Sequence, residues 1–423
     1  MNTPAHYSQY IDILKEELIP AMGCTEPIAI AYAGAKAREV LGCTPDKVII
    51  EVSGNILKNV KSVVVPHTGG LRGIPAAAAI GIIAGDAEKE LEVLSDISEE
   101  QIKDTKVFLE KTSVEVHYAD TPHIFDIMIT LCCGEDSSFV RLCEHHTNIV
   151  CIRRNADTLF EKEITPQENG LTDHQVLNIE EIIKFAEDTD LEPLRATLTR
   201  QIEYNMAIAR EGMRGNYGAN IGSTILSHGN RDIYQQMRAY AAAGSDARMN
   251  GCEMPVIICS GSGNQGITAS VPVIVYAREQ GFSEDELLRA LIVSNLVTIH
   301  LKAGIGRLSA YCGVVSAGVG SAAGVAFLKG GRYDTIAHTV VNALAMDSGI
   351  ICDGAKASCA AKIASAVGSG LLGLFMFENG NQFYSGEGLV AKGVENTIRN
   401  IGSLARNGMA ATDKEIIRIM LES

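Results

Sequence analysis

Between Leu308 and Leu328 the chain runs for 21 residues without a charge, in the order LSAYCGVVSAGVGSAAGVAFL. A run of this kind is either a membrane span or a helix enclosed by protein on every side. Its side chains are mostly those of Gly, Ala and Ser rather than Leu, Ile and Phe. That composition partitions weakly into lipid and suits close approach of backbones. The preferred reading is therefore a close-packed helix inside a bundle, with a membrane transporter as its rival. The wider composition agrees: 41 glycines, no Trp and 46% hydrophobic residues describe a chain that packs through small side chains. Its 423 residues are enough for more than one core.

The segments 178–187, 191–210, 230–243, 266–280, 284–300, 307–328, 335–347 and 356–376 read as helices with short Gly-rich joints. Residues 6–19 read as an amphipathic helix stopped by Pro20, and 26–41 as an Ala-rich helix ending at Gly42. From Lys47 the pattern changes. KVIIEVSG and VKSVVVPH are β-branched runs with strand character, and VEVHYAD, HIFDIMITLCCG, SSFVRLCEHH and TNIVCIRRN follow as consecutive strands. Helices are expected at 73–85 and 98–112. The expected fold class is α+β: a mainly helical domain of close-packed Gly/Ala-rich helices (1–45 plus 175–423) with an inserted α+β domain (46–174) containing a mostly antiparallel sheet.

The net charge of −15 and the lack of a basic stripe argue against a nucleic-acid partner. The N-terminus lacks the basic and apolar regions of a signal peptide, which predicts a cytoplasmic protein. In a reducing compartment the 11 cysteines are not expected to form a disulfide framework. Most should be buried small hydrophobes, and Cys43, Cys132, Cys133, Cys143, Cys151, Cys252 and Cys259 are assigned no role.

Three constellations are rich enough to carry chemistry. The first is Cys312, Cys352 and Cys359, in YCGVV and ICDGAKASC. On one continuous helix Cys352 and Cys359 would share a face about 10.5 Å apart along the axis, too far for one zinc ion. A larger cluster requires Asp353-Gly354 to break the helix. Spacing alone leaves buried structural cysteines as the leading alternative. The second is ICSGSGNQGITAS, residues 258–270, an apolar run followed by a Gly-rich turn and a helix start. Its backbone N–H groups, with Ser260, Ser262, Asn264 and Gln265, make an anion pocket better suited to a carboxylate than to a triphosphate. It is neither a P-loop nor a dinucleotide fingerprint. A plain turn between helices accounts for it equally well. The third is SGNILKNVKSVVVPHTGG, residues 53–70, which groups Asn55, Lys58, Asn59, His67 and Thr68. These side chains either hold an amino acid or supply ordinary hairpin polarity. A separate thiol, Cys24 in AMGCTEPIAIA, sits at a helix start where the dipole favours thiolate, although the adjacent Glu26 opposes it.

In this order, GCTEPIAIA, SGNILKN, the Pro-His-Thr-Gly-Gly turn, SGSGNQG, CGVVSAGVGSAAG and ICDGAKASCA resemble the L-cysteine desulfidase family. These are iron–sulfur enzymes related to the bacterial iron–sulfur L-serine dehydratases. The resemblance runs from about residue 8 to 415; His67 departs from it, since a smaller residue is expected in that turn. It implies a [4Fe–4S] cluster held by Cys312, Cys352 and Cys359, with a fourth iron left open. It implies conversion of L-cysteine to pyruvate, ammonia and sulfide. Asn55, Lys58, Asn59, His67, Ser260, Ser262, Asn264 and Gln265 are then substrate-binding candidates. Cys24 is the candidate base or a temporary iron ligand. The rivals are an L-serine dehydratase with the same cluster and a cluster-free small-molecule binding protein. A pyridoxal phosphate enzyme is disfavoured, with Lys356 as its one candidate lysine. No nucleic-acid or membrane partner is expected, and the apolar helical surface leaves room for a homodimer.

Overall fold

The computed structural model describes residues 7–22, 25–164, 172–306 and 309–422. In the first half the helices are α1 (Tyr7–Glu17), α2 (Thr25–Leu41), α3 (Gly54–Val60), α4 (Gly73–Ala84) and α5 (Glu99–Lys111). In the second half they are α6 (Ile179–Asp188), α7 (Glu192–Arg214), α8 (Ile221–Ser227), α9 (Ile233–Met249), α10 (Gly263–Gln280) and α11 (Glu284–Ile305). They continue with α12 (Gly313–Leu328), α13 (Tyr333–Asp347), α14 (Cys359–Glu378), α15 (Val394–Ser403) and α16 (Ala410–Glu422). The strands are β1 (Pro20–Met22), β2 (Lys47–Val52), β3 (Ser113–Tyr118), β4 (Asp126–Cys133), β5 (Asp136–Cys143), β6 (Ile149–Arg154), β7 (Asp157–Glu161) and β8 (Pro255–Ile257).

The larger sheet has the order β3-β2-β4-β5-β6-β7, and it is mixed: β2 and β3 are parallel, and the other neighbours antiparallel. The parallel pair follows from the long connection through α3, α4 and α5, which a hairpin turn cannot supply. Val48, Ile50 and Val52 alternate inward and meet Ile127, Ile129 and Leu131 on β4. Helices α2 and α4 cover that face. The expected boundary at residue 45 is displaced here: Ile28 to Leu41 on α2 lie in the sheet's core, whereas Tyr7 to Leu18 lie in the helical core. The chain therefore passes between cores just before α2. An Ala-rich helix has no narrow apolar stripe, so sequence pattern did not say which core it would join. Helix α16 also reaches across, with Ile417 in the sheet's core.

The uncharged run resolves differently from a span. Leu308 lies outside the described residues, the helix begins only at Gly313, and Cys312 is its N-cap. Its 16 residues extend about 24 Å, short of a bilayer's hydrocarbon core. Val314 to Leu328 are all buried, packed between α10, α11 and α14. The glycines set the spacing. A methyl at Gly318 would stand 2.5 Å from the carbonyl oxygen of Ala366 on α14, and one at Gly320 2.5 Å from that of Ser294 on α11. Among the described residues two helices, α11 and α14, are long and apolar enough to cross a membrane, and 72% and 50% of their most apolar windows are buried inside the protein.

Two further expectations are corrected. Residues 54–60 form the helix α3 where polar hairpin residues were the alternative, and VKSVVVPH contributes only an isolated pairing of Val64 with Arg72. The helix expected at 356–376 starts at Cys359, leaving Cys352 in the preceding segment.

Candidate functional site

The three cysteines converge on a backbone device that the sequence does not announce. Tyr311 and Ile351 pair as an isolated antiparallel bridge. The amide of Cys312 donates to Ile350 O at 3.0 Å, and that of Cys352 to Ala310 O at 2.6 Å. This pairing puts Cys312 beside Cys352, close enough for each thiol to shift the titration of the other. Gly354, at φ 93°, then turns the chain so that Cys359 opens α14, its Sγ 3.5 Å from Gly354 O. Cys312 and Cys359 each stand at a helix N-terminus, where the dipole favours an anionic sulfur.

The turn is tight because α3 packs on it. A methyl at Gly354 would fall 1.9 Å from the carbonyl oxygen of Lys58. The Lys58 side chain is 3% exposed and its Nζ lies 2.6 Å from Asp413 Oδ1 on α16. The adjacent Cys312 thiol holds the Cys352 thiol well below its ordinary value against the cost of burial, and the Lys58 ammonium and the Gly354 amide add to this. Cys312 is pushed up correspondingly, with burial acting in the same direction. Burial raises Cys359. Burial also lowers the ammonium of Lys302, which senses Cys352 and Cys312, and its Nζ donates to Gly306 O at 2.7 Å. Lys362 lies in the same field and pairs with Asp353. Lys356 pairs with Asp353 at 3.3 Å, an ordinary surface contact.

These residues fit an anionic metal–thiolate cluster. Thiolate donors are the soft ligands that iron–sulfur centres use. Lys58, Lys302 and Lys362 offset negative charge that burial would otherwise disfavour. Among the described residues, the three cysteines do not belong to a group whose ligand atoms all lie within 4.8 Å of one another.

The SGSGNQG segment lies next to Cys312. β8 leads into it, pinned by Asn205, which donates to Ile257 O at 3.1 Å and accepts from Ile257 N at 2.9 Å. Ser260 (φ 49°) and Gly261 (φ 75°) form a two-residue turn between Cys259 and Ser262. Ser262 is then the N-cap of α10, with no hydrogen bond from its side chain to the helix, so the first amides of Gly263, Asn264 and Gln265 face the turn. A methyl on Gly313 would sit 2.6 Å from Gln265 Cδ, so the Gln265 amide lies against the residue following Cys312. Gln265 is 5% exposed, and its buried Oε1 has no hydrogen-bond partner. An orphaned amide oxygen beside the thiols is unusual, because buried polar atoms are nearly always satisfied.

Sequence reasoning passed over Arg248. Its Nη1 donates to Asn264 Oδ1 at 3.4 Å, and its Nε lies 2.3 Å from where a Gly263 methyl would be. Its only signal was a basic residue in the last turn of α9, which reads as dipole compensation. Glu26 likewise carries no signal in the sequence beyond its place beside Cys24. It accepts from Asn59 Nδ2 at 3.3 Å, and Asn59 also donates to Asn55 Oδ1 at 3.3 Å. Asn55 and Asn59 are four apart on α3, a pairing legible once the segment is known to be helical. Glu26 also touches the field of His146, whose burial lowers its basicity.

Not every candidate joins this group. Cys24 lies outside the described residues. His67 occupies a left-handed turn (φ 58°); its amide donates to Glu253 Oε1 at 2.9 Å and its Nδ1 is 3.5 Å from the same oxygen. Thr68 donates to Val65 O and is spent on the turn. Lys58 is committed to Asp413, so it acts on the thiols through its charge.

Comparison with known proteins yields a match over residues 88–418 to the family model for the serine dehydratase alpha chain. A UPF0597 protein of Desulfitobacterium hafniense is 57% identical over 417 residues, covering 98% of this chain and 97% of that one. UPF0597 proteins of Lachnoclostridium phytofermentans and Treponema denticola are 50% and 47% identical; the matches cover 98% of this chain in each case, and 100% and 98% of the relatives.

Proposed function

The chain belongs to the serine dehydratase alpha-chain family, and from that premise we propose that it is an iron–sulfur L-cysteine desulfidase. The reaction is β-elimination of L-cysteine to pyruvate, ammonia and hydrogen sulfide. The observation that carries the reading is the convergence of two unlike sites. Cys312, Cys352 and Cys359, in the field of Lys58, Lys302 and Lys362, adjoin the N-terminus of α10 through the close approach of Gly313 to Gln265, and that N-terminus would take a carboxylate.

Cys312, Cys352 and Cys359 would hold the [4Fe–4S] cluster. When bound, the cluster supplies an open iron, a soft Lewis acid that stabilises sulfur as it leaves. The protein's own residues do the rest. The amides of Gly263, Asn264 and Gln265, with Arg248, take the substrate carboxylate. Glu26, held by Asn59 and Asn55, faces the substrate ammonium. Gln265 Oε1 accepts from the same end of the substrate, which satisfies the orphaned atom. Cys24, immediately before α2, removes the Cα proton. The released aminoacrylate tautomerises and hydrolyses in water. Holding the substrate by both charged ends fixes the orientation of its reacting centre, which is where positioning contributes most.

The family's description favours a second reading, elimination of water from L-serine at the same site. Anaerobic purification with iron and acid-labile sulfide analysis, followed by parallel pyruvate and sulfide assays on both amino acids, tests the pair. Sulfide and pyruvate in equal amounts from L-cysteine, at higher kcat/KM than pyruvate from L-serine, is the expected result. The reverse order assigns the dehydratase. A full cluster retained in Cys312→Ser, Cys352→Ser and Cys359→Ser alike would overturn the ligand set, and unchanged turnover in Cys24→Ala would remove the base.

A further inference from the structure

We propose that His123, Cys143 and Glu144 form a second metal site, for a divalent cation of the zinc class, at the end of the large sheet. One ligand atom from each lies within 4.8 Å of the other two, and among the described residues no other group meets that condition. His123 Nδ1 is 2.6 Å from Glu144 Oε1. In a tetrahedral zinc site, ligand atoms at the usual bond lengths stand about 3.3–3.8 Å apart, so the three need only open slightly around an ion. One nitrogen, one sulfur and one oxygen donor suit zinc better than magnesium or calcium, which take oxygen alone.

The backbone holds the site ready. Cys143 ends β5, fully buried beneath the other two, whose side chains are 22% and 30% exposed. A cation therefore enters from solvent, meets the thiol below, and keeps a coordination position for water. The amide of Glu144, at φ 68°, donates to Phe125 O at 2.9 Å, which joins the loop before β4 to the loop after β5. Asn148 Nδ2 donates to Cys143 O at 2.7 Å and closes the second loop. The Arg141 guanidinium clamps Asp126 through two hydrogen bonds, and Asp126 pairs across the sheet with Cys143, which braces the backbone beside the thiol. As the metal–sulfur bond forms, the thiol proton passes to bulk water.

Occupancy has a consequence for the neighbouring chemistry. The second loop carries His146, whose ring packs edge-on against Phe125 at 4.7 Å and lies in the field of Glu26. The metal cross-links the two loops that support this contact.

The test is zinc equilibrium dialysis with elemental analysis on anaerobically prepared, cluster-loaded protein. The parent chain should retain one zinc per chain. His123→Gln and Glu144→Gln, both at partly exposed positions that leave the core intact, should lose it while keeping parental iron content. Cys352→Ser should lose iron and keep zinc. No zinc retained by the parent chain, or zinc retained by both glutamine variants, or its loss in Cys352→Ser, overturns the site.

Discussion

Gly354→Ala isolates the contact that shapes the cysteine site. The substitution meets two obstacles. The residue sits at φ 93°, outside the range that L side chains adopt readily, and left-handed backbone costs about 1–2 kcal/mol. The new methyl would also stand 1.9 Å from the Lys58 carbonyl oxygen and must retreat by about 1.1 Å merely to reach 3.0 Å. That oxygen is backbone, so α3 has to move as a body. Overpacking of this kind costs about 1–3 kcal/mol, for a total of about 2–5 kcal/mol. Gly42→Ala is the matched control: φ is 83° and nothing lies within 4 Å of the added methyl, so only the conformational cost of about 1–2 kcal/mol applies. Urea unfolding followed by circular dichroism gives the stability difference, and iron per chain after anaerobic reconstitution gives the state of the site. Gly354→Ala should unfold at clearly lower urea than Gly42→Ala and lose iron, whereas Gly42→Ala should keep it. Equal unfolding midpoints, or full iron content in Gly354→Ala, would refute the packing argument.

Lys58→Met should raise the pH at which Cys352 of iron-free protein becomes alkylated, because the ammonium that steadies the thiolate is gone; an unshifted alkylation profile by mass spectrometry would remove Lys58 from the electrostatics. Gly313→Ala pushes a methyl toward the Gln265 amide, a movable side chain, so kcat/KM should fall while the unfolding midpoint barely changes, and a large stability loss with intact kinetics would contradict this. Asp246 is 1% exposed, accepts from Gly222 N at 3.1 Å, and is pushed up to about 6 by burial. The folded state therefore binds this proton more tightly than the unfolded state, and its stabilising contribution, full below about pH 4, is lost as pH rises through 6. Asp246→Asn should stabilise the protein by up to about 3 kcal/mol at pH 8, with the gain shrinking toward pH 4; an equal gain at both pH values would refute the linkage.

Much of this was legible in local pattern. The alternation in KVIIEV and DIMITL marks strands with one buried face, and Ser283 with Glu286 marks a helix start through a capping box. The small-residue run marks a helix meant for close contact, and its glycines meet neighbouring backbone as that composition requires. These are properties of short segments, and short segments carry their own periodicity and capping chemistry. The motifs SGNILKN, SGSGNQG and ICDGAKASC likewise flagged polar and sulfur groups in unusual settings.

Tertiary structure decided how those groups meet. Cys312 and Cys352 become neighbours only through the pairing of Tyr311 with Ile351, a two-segment contact with no periodic signature. The fit of Lys58 onto Gly354 joins residues nearly 300 positions apart, and the placement of Arg248 at the start of α10 depends on how two helices cross. Helix α2 could not be assigned to a core from its own residues, since an alanine-rich surface is apolar on every side; the covering of the sheet decided it. The types of chemistry available were written locally, in residue identity and helix-start signals. Which of them act on one another was decided by long-range packing, because convergence is a property of distances that no single segment contains.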